Sequence, residues 1–175
     1  MTTTAVRTAG HINHDLLGIY LNHHLAGATA GLGLARRMAA SAEPGSESAG
    51  LLRKLAAEIA ADRTALLKIM AALDLPVRGY KVFGAWAGQK AGVLKLNGHL
   101  LSRSPLSSLE ETEILRLGVT GKAAGWRTLR ELADSDSRID TGRLDQLLAR
   151  ASRQEDELEE LRVRIANQVF SDWSA

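Results

Sequence analysis

Residues 51–73 read LLRKLAAEIAADRTALLKIMAAL, and their spacing decides the fold. Leu52, Leu55, Ile59, Leu66, Ile69 and Leu73 recur at alternating steps of three and four, and Asp62 takes the one remaining place in the row. That alternation is the seam of an α-helix packed against other helices in a bundle. A helix is predicted to start near Ser46 or Ser48 and to end by Leu73, ahead of Asp74-Leu75-Pro76.

Working outward, the same periodicity predicts a helix over about 12–42, stopping before Pro44-Gly45. Its apolar face holds Leu16, Leu17, Tyr20, Leu21, Leu32, Leu34 and Ala35, with Asp15, Asn22, Arg36 and Arg37 opposite. Beyond Pro76 an amphipathic stretch over about 80–101 gathers Val82, Phe83, Trp86, Val93, Leu94, Leu100 and Leu101 on one face. A helix over about 105–133 opens at Ser104-Pro105 or Ser107-Ser108, where Glu110 and Glu111 follow the two serines at capping-box spacing. A last helix over about 139–170 carries Leu144, Leu147, Leu148, Ala151, Leu158, Ile165 and Val169 on one side. Residues 1–11 are expected to form a flexible N-terminus ahead of one helical domain over 12–170.

Composition agrees with an all-α chain. There are 27 alanines and 28 leucines in 175 residues against seven aromatics and three prolines, a balance that favours helices over sandwiches or barrels. The chain has no cysteine, which excludes disulfides, zinc-thiolate and iron–sulfur sites and a cysteine nucleophile. From Leu16 to Ala35 there is no Asp, Glu, Lys or Arg, but Asn22-His23-His24 and four glycines interrupt that stretch, so no membrane span is expected and a cytoplasmic location is. Charge is uneven: residues 1–105 hold 12 Lys/Arg against 6 Asp/Glu, and 106–175 hold 10 against 14. Two halves of one bundle that attract each other account for this.

Two long helical hairpins separated by about 30 residues, enough for a crossover running the length of a bundle at about 1.5 Å per residue, resemble the ferritin-like superfamily. The resemblance is to its bacterial helical-bundle members and covers about residues 12–170. It implies an antiparallel four-helix bundle with a long, partly helical crossover. In metal-using members, paired Glu-x-x-His motifs and two further Glu residues hold iron or manganese. No Glu-x-x-His exists here: Glu58 is followed three places on by Ala61, Asp62 by Ala65, Glu110 by Glu113, Glu113 by Arg116, Glu155 by Leu158 and Glu159 by Arg162.

Polar residues nevertheless stand in the apolar phase: His24 with His23 near the edge, Asp62, Glu113 between Leu109 and Leu117, and Glu155 between Ala151 and Leu158. Met at one level, His23, His24, Asp62, Glu113 and Glu155 would offer nitrogen and oxygen ligands to one iron or manganese ion. Lys90 and Arg162 share those faces, so the preferred reading is a buried polar network of His24, Asp62, Lys90, Glu113, Glu155 and Arg162 that fixes helix register, with no cofactor.

Three further features invite function. The small residues Gly27 to Gly33 suit close helix packing, and they lack the spacing and preceding strand of a dinucleotide site. Arg78, Lys81, Lys95 and Arg103 could bind an anionic surface, although four charges are few for nucleic acid. Glu155 to Glu160 form an acidic outer face paired in part with Arg150, Arg153, Arg162 and Arg164. The expectation is a non-enzymatic bundle acting through self-association, as a homodimer, or through a protein partner. A metal-binding oxidoreductase or storage protein and a peripheral binder of anionic surfaces are the alternatives.

Overall fold

The structure, a computed structural model, describes residues 12–78 and 105–171. They form four helices and no strand: α1 (His14–Ser41), α2 (Glu47–Ala72), α3 (Pro105–Leu132) and α4 (Thr141–Ser171). The predicted helix over 80–101, with Lys81, Lys90, Lys95 and Arg103, lies outside the described residues, as do residues 1–11. Among the described residues no helix is long and apolar enough to cross a membrane.

Local chemistry sets each helix end. Asn13 caps α1 by accepting the Leu16 N–H at 3.0 Å, and the Ser46 hydroxyl caps α2 by accepting that of Ala49 at 3.1 Å. The turn between them uses Gly45 at φ 83°, and Asp74 at φ 55° closes the end of α2 in the left-handed region. Pro105 stands first in α3, where its missing N–H costs nothing. The last helix begins two residues later than the sequence suggests. Asp140 accepts the Arg143 N–H at 3.0 Å, and Ile139 is buried ahead of the helix with Leu144 in one apolar cluster, a hydrophobic staple.

Helix α1 packs along α2, α3 along α4, α1 against α3, and α2 against α4. On α2, Glu47, Lys54, Glu58 and Asp62 meet Arg164, Glu157, Gln154 and Arg150 of α4 in turn, so numbers rise on one helix as they fall on the other. The same holds for α1 and α3: Tyr20 meets Thr128, His24 meets Gly125, and Gly31 meets Leu115.

The core divides into two apolar clusters. One joins Leu21, Leu25, Leu66, Met70, Trp126, Leu129 and Leu147, and the other joins Leu34, Met38, Leu55, Ile59, Val119, Leu158 and Leu161. Between Ile59 and Leu66 sits Asp62, and beside it Arg63 donates from Nε to the Thr29 hydroxyl at 2.9 Å. A polar layer therefore separates the two halves of the core.

Several expected faces are corrected. Leu16 is 63% exposed while Asn22, expected on the outer face, is 2% exposed, because its carboxamide is needed at the exit from α2. Leu117 is 68% exposed, and Glu113 shares its outward side. The buried row of α3 is Leu109, Thr112, Leu115, Val119, Ala123, Trp126 and Leu129, so Leu109 is buried as expected while Glu113 and Leu117 stand one or two residues off the row.

Candidate functional site

The polar layer is built around Asp62, which is 1% exposed in the middle of the α2 seam. Lys122 of α3 donates from Nζ to Asp62 Oδ2 at 2.6 Å, and Arg150 of α4 donates from Nη1 to Oδ1 at 2.8 Å. Each carboxylate oxygen thus holds one cation from a different helix. Lys122 also donates to the side-chain oxygen Oε1 of the buried Gln154. Gln154 in turn donates from Nε2 to Glu58 Oε2 at 2.8 Å, and Arg153 reaches Glu58 Oε1 at 3.2 Å. Farther along, Lys54 pairs with Glu157. A chain of charge-assisted bonds links three helices across the bundle.

The electrostatics follow from this wiring. Burial lowers the Lys122 ammonium below the ordinary lysine range, with the nearby Arg150 acting in the same direction against the attraction of Asp62. At Glu58, burial pulls upward, but the hydrogen bonds from Gln154 and Arg153 and the charges of Arg153 and Lys54 prevail and lower its carboxyl. The connected side chains comprise four cations (Lys54, Lys122, Arg150 and Arg153) and three acids (Glu58, Asp62 and Glu157).

Elsewhere, the His24 ring stacks edge-on to Tyr20 with centroids 4.5 Å apart. It lies over Gly125, where a Cβ would stand 3.0 Å from Cε1. Burial, reinforced by the neighbouring His23, lowers its imidazole below 6.5. His24 is a packing group between α1 and α3. The Trp126 indole N–H is buried nearby in the core without a hydrogen bond among the described residues.

Of the residues singled out by sequence, Asp62 alone occupies the centre of the layer. His23 is exposed, Glu113 is exposed, and Glu155 is half-buried with Oε1 making no hydrogen bond among the described residues. Arg162 donates to Glu159 of its own helix at 2.6 and 3.0 Å instead of turning inward. Among the described residues no three of His, Cys, Asp and Glu gather as a metal-binding group. Arg78, of the basic quartet, uses its backbone N–H to reach Asn22 Oδ1 at 2.8 Å.

The residues that sequence reasoning missed are Lys122, Gln154 and Asn22, with Arg150 assigned to the outer face. A signal for the first two exists: Leu115-Val119-Lys122-Trp126-Leu129 and Leu147-Ala151-Gln154-Leu158-Leu161 both step by four and three, as the α2 seam does. Neither a family model, nor a curated protein, nor a solved structure matches this chain.

Proposed function

We propose that the chain is a non-catalytic bundle of ferritin-like topology, two antiparallel hairpins joined by a crossover, that acts by associating with itself or with a partner. The opposite order of contacts in the α2–α4 and α1–α3 pairs supports the topology. So do the ends of the connection: Arg78 sits beside Asn22 near one end of α1, and Ser108 lines a cavity with Met38 near the other.

One observation carries the functional reading. Both oxygens of Asp62 are held by cations of the chain itself, so the charged interior is spent on joining helices. The described surface carries exposed apolar side chains, Leu16, Leu117 and Phe170 among them, beside exposed charge.

The test is metal retention. Protein purified without a chelator or histidine tag is exposed to iron, manganese or zinc in excess and then desalted. The expected result is no bound metal. A near-stoichiometric ion that Asp62→Asn abolishes would overturn the reading and restore His23, His24, Asp62, Glu113 and Glu155 as ligand candidates.

A further inference from the structure

On the outer side of the first hairpin, an open groove of about 520 Å³ runs between α1 and α2. Five alanines line it, among them Ala57 and Ala60, and Arg36 and Arg53 stand on its two sides. Methyl side chains let another helix come close, and the two guanidiniums give the groove a charge. Neither arginine pairs with a carboxylate among the described residues, and α1 itself has no acid from Leu16 to Ser41.

The far hairpin presents the complement. On the side of α4 turned away from its buried row lie Ala149, Ser152, Asp156 and Glu160, all exposed. Asp156 and Glu160 are one helical turn apart, about 6 Å along the axis, and neither forms an ion pair among the described residues. Ala149 and Ser152 keep that face thin enough to enter an alanine-lined groove.

We propose that the α1–α2 groove is an interface for a second copy of this chain, seating the outer face of α4 with Asp156 and Glu160 against Arg36 and Arg53. This rests on the proposed function and names the surface through which self-association acts. Charge complementarity selects the occupant. The alternative occupant within the chain, residues 79–104, carries Lys81, Lys90, Lys95 and Arg103 with no Asp or Glu, and would bring like charge to the two arginines. The groove lies on the α1–α2 side and the acidic face on α4, so the two surfaces are different patches of one molecule. Such contacts are heterologous and propagate head to tail into a ring or a filament, whereas a two-fold dimer uses one patch twice.

Sedimentation velocity of the full chain at about 20 mM and about 500 mM salt reads the effect, because exposed pairs are screened over a Debye length. Wild type is expected to form species larger than a monomer at low salt and to dissociate at high salt. R36E/R53E and D156R/E160R are each expected to weaken association at least about tenfold at low salt, with helicity and Tm close to wild type. In an equimolar mixture the acidic face of R36E/R53E meets the basic groove of D156R/E160R, and the two reversed surfaces also match, so assembly should resume with the two variants alternating. The four-fold variant carrying both charge reversals should assemble again.

A wild type that stays monomeric at low salt overturns the proposal, and so does an assembly that R36E/R53E leaves intact. The chain has no cysteine, so A57C can carry a single cross-linker. Intramolecular capture of residues 79–104 would show that the chain fills its own groove, and would equally overturn it. None of these outcomes depends on metal, so they separate this interface from the reading it rests on.

Discussion

Lys122 Nζ lies 2.6 Å from Asp62 Oδ2, and the two residues come from different helices, α3 and α2. With Arg150 at 2.8 Å on the other oxygen, the pair ties three helices at one level, where the two apolar clusters of the core meet. A hydrophobic seam tolerates sliding by a turn, but a single carboxylate that must meet two cations does not. The layer therefore specifies register more than it adds stability.

Asp62→Ala is expected to lower the unfolding free energy by about 3 kcal/mol, because it strands Lys122 and Arg150 against the core. This is the low end for a broken buried pair, since the Lys122 and Arg150 side chains keep 13% and 22% exposure and can turn toward water. Urea denaturation measures it. Replacing all three by apolar residues of similar volume, Asp62→Leu with Lys122→Met and Arg150→Met, should recover most of the loss. A single Asp62→Ala within about 0.5 kcal/mol of wild type would show that the layer does not constrain the fold.

Gly125 and His24 are coupled by a close approach that other glycines of α3 lack. A Cβ on Gly125 would sit 3.0–3.2 Å from three ring atoms of His24, whereas one on Gly118 or Gly121 would meet nothing within 4 Å. Gly118→Ala and Gly121→Ala should each stabilise by about 0.5–1 kcal/mol, the gain from helix propensity. Gly125→Ala should instead destabilise by about 1 kcal/mol as overpacking exceeds that gain. In a His24→Ala background the sign should reverse, and the double-mutant cycle reads the coupling directly.

The same contact makes stability depend on pH. Burial, aided by His23, holds the His24 imidazole below 6.5, so between its folded value and 6.5 the unfolded chain binds more protons than the folded one. Stability therefore rises with pH through that window and falls as pH drops below 6.5. Urea midpoints measured from about pH 7.5 down to 5.5 should decline, and His24→Gln should flatten the decline. A profile unchanged by His24→Gln would mean that other groups set it.

How far the sequence discloses this arrangement follows from where periodicity is strong. The α2 seam is regular and only one polar residue interrupts it, so Asp62 is legible as buried and in phase. In α3, Leu109, Leu115, Leu117 and Val119 allow more than one apolar line, and the line through Leu117 puts Glu113 inward when the structure has both facing out. In α4, Glu155 borders the buried row at Gln154, and one residue of rotation separates them. Lys122 hides for another reason: lysine is read as solvated unless its partner is known, and its partner is on another helix. Of the basic crossover residues, Lys81, Lys90, Lys95 and Arg103 fall outside the described residues.

Asn22 shows what a wheel diagram cannot reveal. Its side chain is buried on α1, where Nδ2 donates to Gly18 O at 2.7 Å and Pro76 O at 3.0 Å, and Oδ1 accepts the Arg78 N–H at 2.8 Å. One carboxamide thus satisfies a backbone carbonyl and a backbone N–H of the segment that leaves α2, groups that no helix or strand serves there. Asn22→Leu keeps the volume but strands both, and should cost about 1–3 kcal/mol by urea denaturation. Asn22→Asp should be no better, because a carboxylate can accept from Arg78 but has no proton for Pro76 or Gly18. Hydrogen exchange gives the sharper readout: the Arg78 amide should lose protection in Asn22→Leu and keep it in Asn22→Asp. Equal protection in wild type and Asn22→Leu would show that the segment is held by something other than this side chain.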